Sequence, residues 1–183
     1  MTPLTVGESL SRDIRGQQIY RFSVAAEGEL LVTVENLGRD TVLTVFDAAG
    51  SQLLRTATWR GTEGFYRAVL PAGDSLLLQV TSDEAIAPPG QFRISLRPID
   101  KTDPDYDAEL AMGIGADLRL RHHTRQADAR QAALEQFELA AAGFEAIGNA
   151  PRHADALYEA ADACLALRQH RRAMELYAEA EAL

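Results

Sequence analysis

The stretch GQFRISLRPIDKTDPDYDAEL, residues 90–110, decides the fold, because the pattern of its apolar residues changes partway along. Its first part alternates apolar and polar residues, which is typical of a strand with one buried face. In its second part, Asp103 is placed to cap a helix and Pro104 to be the first residue of that helix. We therefore predict a β domain over residues 1–99, a linker over residues 100–105 and a helical domain over residues 106–183.

The amino-acid composition changes at the same place. Val, Ile and Thr together number 22 up to Asp100 and 4 beyond it, whereas Ala numbers 9 and then 22. β-Branched residues favour strands and alanine favours helices. The first part is therefore predicted to be all-β and the second all-α.

Alternation recurs throughout the β domain. Four triples of apolar residues each place one face in a core, with polar residues between them: Tyr20, Phe22 and Val24; Leu30, Val32 and Val34; Leu76, Leu78 and Val80; Phe92, Ile94 and Leu96. Glycine-containing turns separate these segments at short intervals. The pattern predicts a sandwich of about seven or eight antiparallel strands.

In the order of its residues, the β domain resembles the pre-peptidase C-terminal type of β-sandwich, a jelly-roll-like accessory module of secreted and multidomain bacterial proteins. The resemblance covers Leu4 to Pro98. It is carried by the following segments: Tyr20-Arg-Phe22 after a glycine turn, residues 30–35, residues 40–50, Ala72-Gly-Asp74 ahead of residues 76–80, and residues 90–94. The resemblance implies a fold more than a function.

The spacing of small and large apolar residues in the last thirty positions predicts paired antiparallel helices. It fits the tetratricopeptide pattern, in which small residues let two helices approach and large ones fill the space between them. The residues that carry the match are Leu157, Ala160, Ala161, Cys164, Ala173, Tyr177 and Ala180. Two of them depart from the family, since Ala161 replaces a common glycine and Cys164 a usual tyrosine.

An earlier helix, residues 131–147, repeats part of this pattern. Ala133, Phe137 and Ala140 have the same offsets as the last three residues of that set, 40 positions earlier, where the usual period is about 34. Residues 148–151 are the predicted break, and the partner helix is expected from Tyr106 to about Arg125. About two repeats result, fewer than arrays normally need, so we expect an excised piece or a sandwich that caps the array, with self-association through the open repeat end.

The order of a pre-peptidase-like sandwich, an acidic linker and tetratricopeptide repeats resembles the N-terminal region of bacterial proteins that end in a caspase-like CHAT protease domain. The resemblance covers the whole chain. It implies that the parent protein is a cysteine protease with a His/Cys pair in a later domain. The present segment would then supply recognition or regulation and would not itself be an enzyme.

The charge balance argues against two classes of partner. The 183 residues carry a formal net charge of −9, whereas nucleic acids and anionic membranes require a basic surface. Neither a membrane-spanning stretch nor a signal peptide is evident, and one cysteine excludes an internal disulfide. The compartment stays open, cytoplasmic or exported with the signal removed.

Cys164 and the four histidines are the candidate catalytic or metal-binding groups of the sequence. Cys164 occupies a repeat-core position without a caspase signature, which favours a buried structural cysteine. Neighbouring residues of one helix point about 100° apart, so His122 and His123 make a poor metal pair. They and the other two, His153 and His170, are predicted to lie on the surface.

Acidic residues offer two weak calcium patterns. Asp103, Asp105 and Asp107 alternate as in a calcium loop, but the required glycine and glutamate are missing, which favours acids at a helix N-terminus. Acids at sandwich turns are the other pattern, although Asx turns explain them equally: Asp40, Asp47, Asp74, Asp83 and Glu84. No cofactor is predicted.

Two further motifs favour ordinary structure over function. Residues 61–64 lack the strand, helix and lysine of a phosphate loop. Trp59, Phe65 and Tyr66 form either an exposed platform for a sugar or peptide or, as we favour, part of the core.

The leading hypothesis is a non-catalytic module that binds a protein or peptide on the repeat surface. A calcium- or glycan-binding sandwich with a helical adaptor is the alternative. The predicted contact residues lie between the packing positions: Asp155, Tyr158, Glu159, Asp162, Arg168 and Glu175.

Overall fold

The computed structural model describes residues 2–15, 18–26, 28–38, 40–57, 63–82, 89–121 and 127–183. The chain divides into two compact units, Met1–Asp100 and Lys101–Leu183. Strands occupy the first unit and helices the second. The prediction of a β-sandwich followed by a helical region is therefore confirmed.

The first unit contains nine strands in its described residues, slightly more than predicted: β1 (Thr2–Pro3), β2 (Ser9–Ile14), β3 (Ile19–Ala26), β4 (Leu30–Leu37), β5 (Val42–Phe46), β6 (Gln52–Ala57), β7 (Glu63–Leu70), β8 (Gly73–Thr81) and β9 (Gly90–Pro98). One sheet has the order β1-β3-β8-β5-β6 and the other β2-β9-β4-β7. The expectation of antiparallel strands throughout is wrong at β1, which pairs with β3 in parallel. A two-residue strand is too short to show alternation, which is why the sequence did not indicate it.

The core of the sandwich lies between the two sheets. All four predicted apolar triples contribute to it, with only Tyr20 partly buried. The ring of Phe92 on β9 packs edge-on against Tyr20 and Phe22 on β3, at centroid distances of 5.3 and 6.3 Å. These contacts join the two sheets, because β3 and β9 belong to different ones.

The second unit contains four helices in its described residues: α1 (Tyr106–Arg121), α2 (Ala127–Ala146), α3 (Ala150–Ala166) and α4 (His170–Glu181). Pro104 is not the first helical residue, because a turn in which the Tyr106 amide donates to the Asp103 carbonyl precedes α1. α2 begins four residues earlier than predicted, because residues 127–130 are exposed or half-buried and so carry no apolar period. No described helix is long and apolar enough to span a membrane.

Of the predicted break at residues 148–151, Gly148 and Asn149 separate α2 from α3, whereas Ala150 and Pro151 already belong to the first turn of α3. Gly148 has a φ of +69°, which glycine adopts at little energetic cost because it has no Cβ. Asn149 then caps α3, its side-chain oxygen accepting a hydrogen bond of 3.3 Å from the Arg152 amide.

Each helix packs against the next one along the chain. The predicted small and large packing residues are buried between them, except that Tyr177 is half-buried. α1 and α2 approach closely at Gly115, where a Cβ would lie 2.7 Å from Cε1 of Phe137. Gly115 therefore lets the two helices meet across the Phe137 ring.

Gly115→Ala is expected to destabilise the helical unit although alanine is the better helix former. The gain in helix propensity is about 1 kcal/mol, whereas overpacking costs about 1–3 kcal/mol. We expect a net loss of about 1 kcal/mol in the free energy of unfolding, measured by urea denaturation. Gly28→Ala is the matched control, because nothing lies within 4 Å of its Cβ position; equal stability of Gly115→Ala and wild type would contradict the prediction.

Candidate peptide-binding surface

Four of the six predicted contact residues form one stripe on α3. Asp155 precedes Tyr158 and Glu159 by three and four residues, and Asp162 follows them by four and three, so all four lie along one side of the helix. The other two lie elsewhere: Arg168 is in the turn after α3 and Glu175 is on α4. The structure thus brings together four predicted residues and separates two.

Ion pairs connect this stripe to α1, although α1 and α3 are not consecutive helices. Arg152 binds Glu109 through Nε and Nη2, at 3.1 and 2.5 Å, and Asp155 through Nη1 at 3.1 Å. The Glu109 side chain is 0% exposed and that of Arg152 5%. Burial acts to lower the pKa of Arg152, but the charge of Glu109 and its hydrogen bonds outweigh it and raise that pKa.

A second ion pair lies further along the same helices. Nη1 of Arg119 on α1 donates to Glu159 on α3. These two ion pairs, at different positions along the helices, fix the spacing of α1 and α3. We call the surface formed by Arg119, Asp155, Tyr158, Glu159 and Asp162 the α1–α3 face.

Two aromatic residues stabilise the other side of the stripe. The rings of Tyr158 and Tyr177 lie 5.7 Å apart, and the Tyr177 hydroxyl donates to the Asp162 carboxylate. Asp162 is exposed and Tyr158 half-buried. The α1–α3 face therefore offers acidic, basic and aromatic groups whose positions are set by contacts within the unit.

Arg168 and Glu175 line an open depression of about 630 Å³ at the start of α4. Arg168 has a φ of +63°, and Nε of Arg171 donates to Glu175 at 2.9 Å. Arg172 pairs with Glu138 on α2. Two of the cations around the depression are thus already neutralised by carboxylates.

A smaller cavity of about 140 Å³ lies where the end of α1, the start of α2 and the end of α3 meet. Its lining is apolar except for two arginines and one acid: Leu118, Arg119, Arg130, Ala133, Asp162, Ala163 and Ala166. Nη1 of Arg130 donates to the Ala166 carbonyl at 2.8 Å, which holds that guanidinium at the rim. The cavity adjoins the α1–α3 face, because Arg119 and Asp162 belong to both.

Cys164 is fully buried, as predicted for a packing residue. Burial raises the pKa of its thiol, which works against thiolate chemistry. Among the histidines, His170 is exposed, but the prediction of a surface His153 is wrong: its side chain is buried. His153 shares the buried side of α3 with Ala156 and Ala160, whereas His122 and His123 lie outside the described residues.

Within the described part of the chain, no three His, Cys, Asp or Glu side chains are grouped to hold a metal ion. Asp47 forms an Asx turn, its Oδ1 accepting from the amides of Ala49 and Ser51 at 2.9 and 2.8 Å. Asp83 and Glu84 lie outside the described residues.

The predicted aromatic cluster of the sandwich is divided between core and surface. Tyr66 is buried, and its hydroxyl lies 3.1 Å from that of Thr41. Burial raises the pKa of the Tyr66 hydroxyl. Phe65 is 38% exposed, with the Arg67 guanidinium 4.9 Å from its ring centre. Trp59 lies outside the described residues.

The outer surface of the five-stranded sheet has a polar depression of about 460 Å³. The residues that line it offer amide, hydroxyl and guanidinium groups beside two apolar side chains: Ile19, Thr44, Phe46, Gln52, Arg55, Gln79, Thr81 and Ser82. Such a set matches the hydroxyl groups of a sugar better than it matches a hydrophobic ligand.

Sequence reasoning missed four charged residues that hold α1 to α3 or line the cavity: Glu109, Arg119, Arg130 and Arg152. Arg152 carried a signal, because it falls four residues before Ala156 and eight before Ala160, in phase with the buried stripe of α3. A charged residue at such a position requires a buried partner. No comparable pattern marked Arg119 or Arg130.

The fold and surface described above define a sandwich joined to an antiparallel helical array. No family model matches the chain, and no curated protein matches it. Among solved structures, the chain is similar to the pre-peptidase C-terminal domain of collagenase from Bacillus anthracis, with 14% identity, 52% of this chain and 93% of that chain covered, and a TM-score of 0.40.

Two further solved structures show a likeness of the same extent. Aeromonas hydrophila PliG, a periplasmic inhibitor of g-type lysozyme, is 17% identical, with 52% of this chain and 95% of that chain covered and a TM-score of 0.38. The Yersinia pseudotuberculosis-derived mitogen is 14% identical, with 52% and 89% covered and a TM-score of 0.37.

Proposed function

We propose that this chain is a non-catalytic module that binds a protein partner, through an extended peptide segment, on the α1–α3 face. The observation that carries the proposal is the pair of ion bridges between α1 and α3. They fix two non-consecutive helices at one spacing, so the polar surface between them is preorganised. Preorganisation lowers the entropic cost of binding.

The helical packing supports a tetratricopeptide-like reading of the second unit. Four helices pack in chain order, with alanines at their contacts and aromatic residues between them. Stacked helical repeats present extended concave surfaces to their partners, and we infer that α1 and α3, which the two ion pairs connect, line that surface here. Tyr158 and Asp162 would then be the central contacts.

Selection of displayed random peptides on the full chain tests the proposal. We expect enriched peptides whose affinity, measured by fluorescence anisotropy, falls about tenfold or more in Tyr158→Ala, because truncating an aromatic anchor removes buried contact area. Leu139→Ala is the control, since Leu139 is 60% exposed on α2, away from the α1–α3 face. Absence of enrichment, or equal affinity for Tyr158→Ala and wild type, would refute the proposed surface.

We further propose that the module is the regulatory N-terminal segment of a larger caspase-like CHAT protease. The order of a sandwich before a helical array supports this, together with the resemblance of both parts. Sequencing the native reading frame on both sides of the segment tests it. A downstream domain with a His/Cys pair is expected, and a frame without one would remove the protease proposal while leaving the binding module intact.

A glycan-binding sandwich is the second candidate function, and the polar depression on the five-stranded sheet is the observation that favours it. Its test is a glycan array probed with wild type and Arg55→Ala. Binding that Arg55→Ala abolishes would support a sugar site, and the absence of any bound glycan would exclude it.

Thermal unfolding with and without millimolar calcium tests the alternative that the sandwich binds calcium, since a bound ion raises the melting temperature.

Self-association through α4 is proposed as well. Met174 on α4 is 72% exposed, which leaves apolar area at that end of the array. Sedimentation should show a concentration-dependent dimer that Met174→Glu removes. A monomer at all concentrations would contradict it.

A further inference from the structure

We propose that the polar depression on the five-stranded sheet binds an acidic oligosaccharide of the uronic-acid type, with one carboxylate of the sugar held by Arg21. This inference rests on the glycan-binding function proposed above as the second candidate, and it names the class of glycan. It is carried by the order of side chains on the outer surface of the sheet, by the charges of the four strands that form this surface and by the contacts of the Arg21 guanidinium.

A row of polar side chains crosses four strands on this surface. Arg21 on β3 lies opposite Gln79 on β8. Thr44 on β5 lies opposite both Gln79 and Arg55 on β6. On each strand a neighbouring residue packs into the core between the sheets, so alternation turns the row outward. Because adjacent strands lie about 4.8 Å apart, the row from β3 to β6 is about 14 Å long.

Apolar side chains border the polar row on both sides. Ile19, 53% exposed, lies two residues before Arg21, and Phe46, half-buried, lies two residues after Thr44. β3 and β5 are both antiparallel to β8 and so run in the same direction, which places Ile19 and Phe46 on opposite sides of the row. A sugar ring has hydroxyl groups at its edge and C–H groups on its faces, so a polar row between apolar borders fits it. The depression of about 460 Å³ has the size of a small-ligand pocket, about 300–1,000 Å³.

The charges of these strands favour an anion. Over residues 19–26, 42–46, 52–57 and 75–81 the only charged residues are Arg21 and Arg55. The whole chain, by contrast, has 27 acidic and 18 basic residues. At physiological ionic strength charges are screened beyond about 8 Å, so a ligand at the row responds to nearby arginines more than to the net charge of the chain. An acidic sugar therefore suits this surface better than a neutral one.

The Arg21 guanidinium lies at the border of the depression and can bind a carboxylate. Its Nε donates to Oε1 of Gln79 at 3.4 Å, and Gln79 lines the depression. Arg21 is exposed, and no carboxylate in the described part of the chain pairs with it. Arg93 on the other sheet differs, because its Nη1 binds the Glu35 carboxylate at 2.9 Å. The terminal nitrogens of Arg21 can therefore donate to both oxygens of a sugar carboxylate.

The test measures the binding of trigalacturonate to the full chain by isothermal titration calorimetry, with the methyl ester of the same trisaccharide as the neutral control. We expect trigalacturonate to bind saturably and the ester to bind about tenfold more weakly. Esterification removes the charge-assisted hydrogen bonds to Arg21 but keeps the ring hydroxyl groups. A higher salt concentration should weaken the binding of trigalacturonate.

Arg21→Gln and Arg93→Gln are the matched pair of variants. Both replace an exposed arginine of the sandwich by an uncharged polar residue, a surface change that should leave the unfolding midpoint unaltered. Arg21→Gln should lower the affinity for trigalacturonate about tenfold, whereas Arg93→Gln should keep the wild-type affinity. Absent binding of trigalacturonate, equal binding of its ester, or equal affinity of Arg21→Gln and wild type would each overturn the inference.

The outcomes separate this inference from the function on which it rests. Neutral glycans whose binding Arg55→Ala abolishes, without a preference for trigalacturonate over its ester, would keep the glycan-binding candidate and remove the acidic class. Equal losses of affinity in Arg21→Gln and Arg93→Gln would indicate unspecific attraction of an anion to arginines, which also overturns the site. A chain that binds no glycan, trigalacturonate included, would remove both proposals and leave the peptide-binding module untouched.

Discussion

Arg152→Met should lower the free energy of unfolding of the helical unit by about 3–5 kcal/mol. The methionine has a similar volume, so the change removes the charge that faces Glu109 without opening a large cavity. The Glu109 carboxylate is 0% exposed and accepts from Arg152 at 3.1 and 2.5 Å. When such a carboxylate loses its cation, hydration cannot replace the lost interaction, because water cannot reach the buried group. Native-state hydrogen exchange, resolved along the chain, measures the loss in the amides of α1 and α3.

Two comparisons make this prediction specific. Arg171→Met removes an arginine of the same unit from an exposed pair, in which Arg171 is 94% and Glu175 60% exposed, and should cost at most about 0.5 kcal/mol. The double replacement Glu109→Leu with Arg152→Met should recover most of the stability, since an apolar pair can replace a buried ion pair. If Arg152→Met cost no more than Arg171→Met, the buried pair would not be what ties α1 to α3.

Phe92→Ala should destabilise the sandwich by about 4–5 kcal/mol. Phe92 is 0% exposed, and truncating a buried phenylalanine costs about 3–5 kcal/mol. Its ring also makes edge-to-face contacts with Tyr20 and Phe22, each worth about 0.5–1.5 kcal/mol. Because these contacts join the two sheets, protection from hydrogen exchange should fall in β3 and β9 together.

Phe65→Ala is the control for the second prediction. It removes a phenylalanine from the same unit, but one that is 38% exposed and contacts Arg67 at the surface. Its expected cost is below about 1.5 kcal/mol. Similar losses for the two replacements would mean that the Phe92 ring is not central to the contact between the sheets.

The sequence predicted the elements whose burial has a regular period. Phe22 and Val24 on β3, or Ala133 and Phe137 on α2, recur at the spacing of the structure that buries them. The two-residue strand β1 was missed because it has no period. The order of strands in the sheets was equally out of reach, since alternation reports which face is buried and not which strand lies beside which.

The candidate surface was predictable only in part, for a related reason. Helical spacing placed Tyr158 and Asp162 on one side of α3. It did not predict that Arg119 would reach Glu159 from α1, because an ion pair between two helices depends on their separation and on side-chain rotamers. His153 shows the same limit, as its polarity suggested a surface position although its phase along α3 matched the buried alanines.

The short strand β1 has a consequence for solubility. It occupies the edge of the five-stranded sheet next to β3, pairing with Phe22 and Ser23. Its second residue, Pro3, has no backbone N–H and so cannot donate a hydrogen bond to a strand from another molecule. Pro3 thus protects part of this sheet edge against pairing with a strand of another molecule, as prolines on edge strands do.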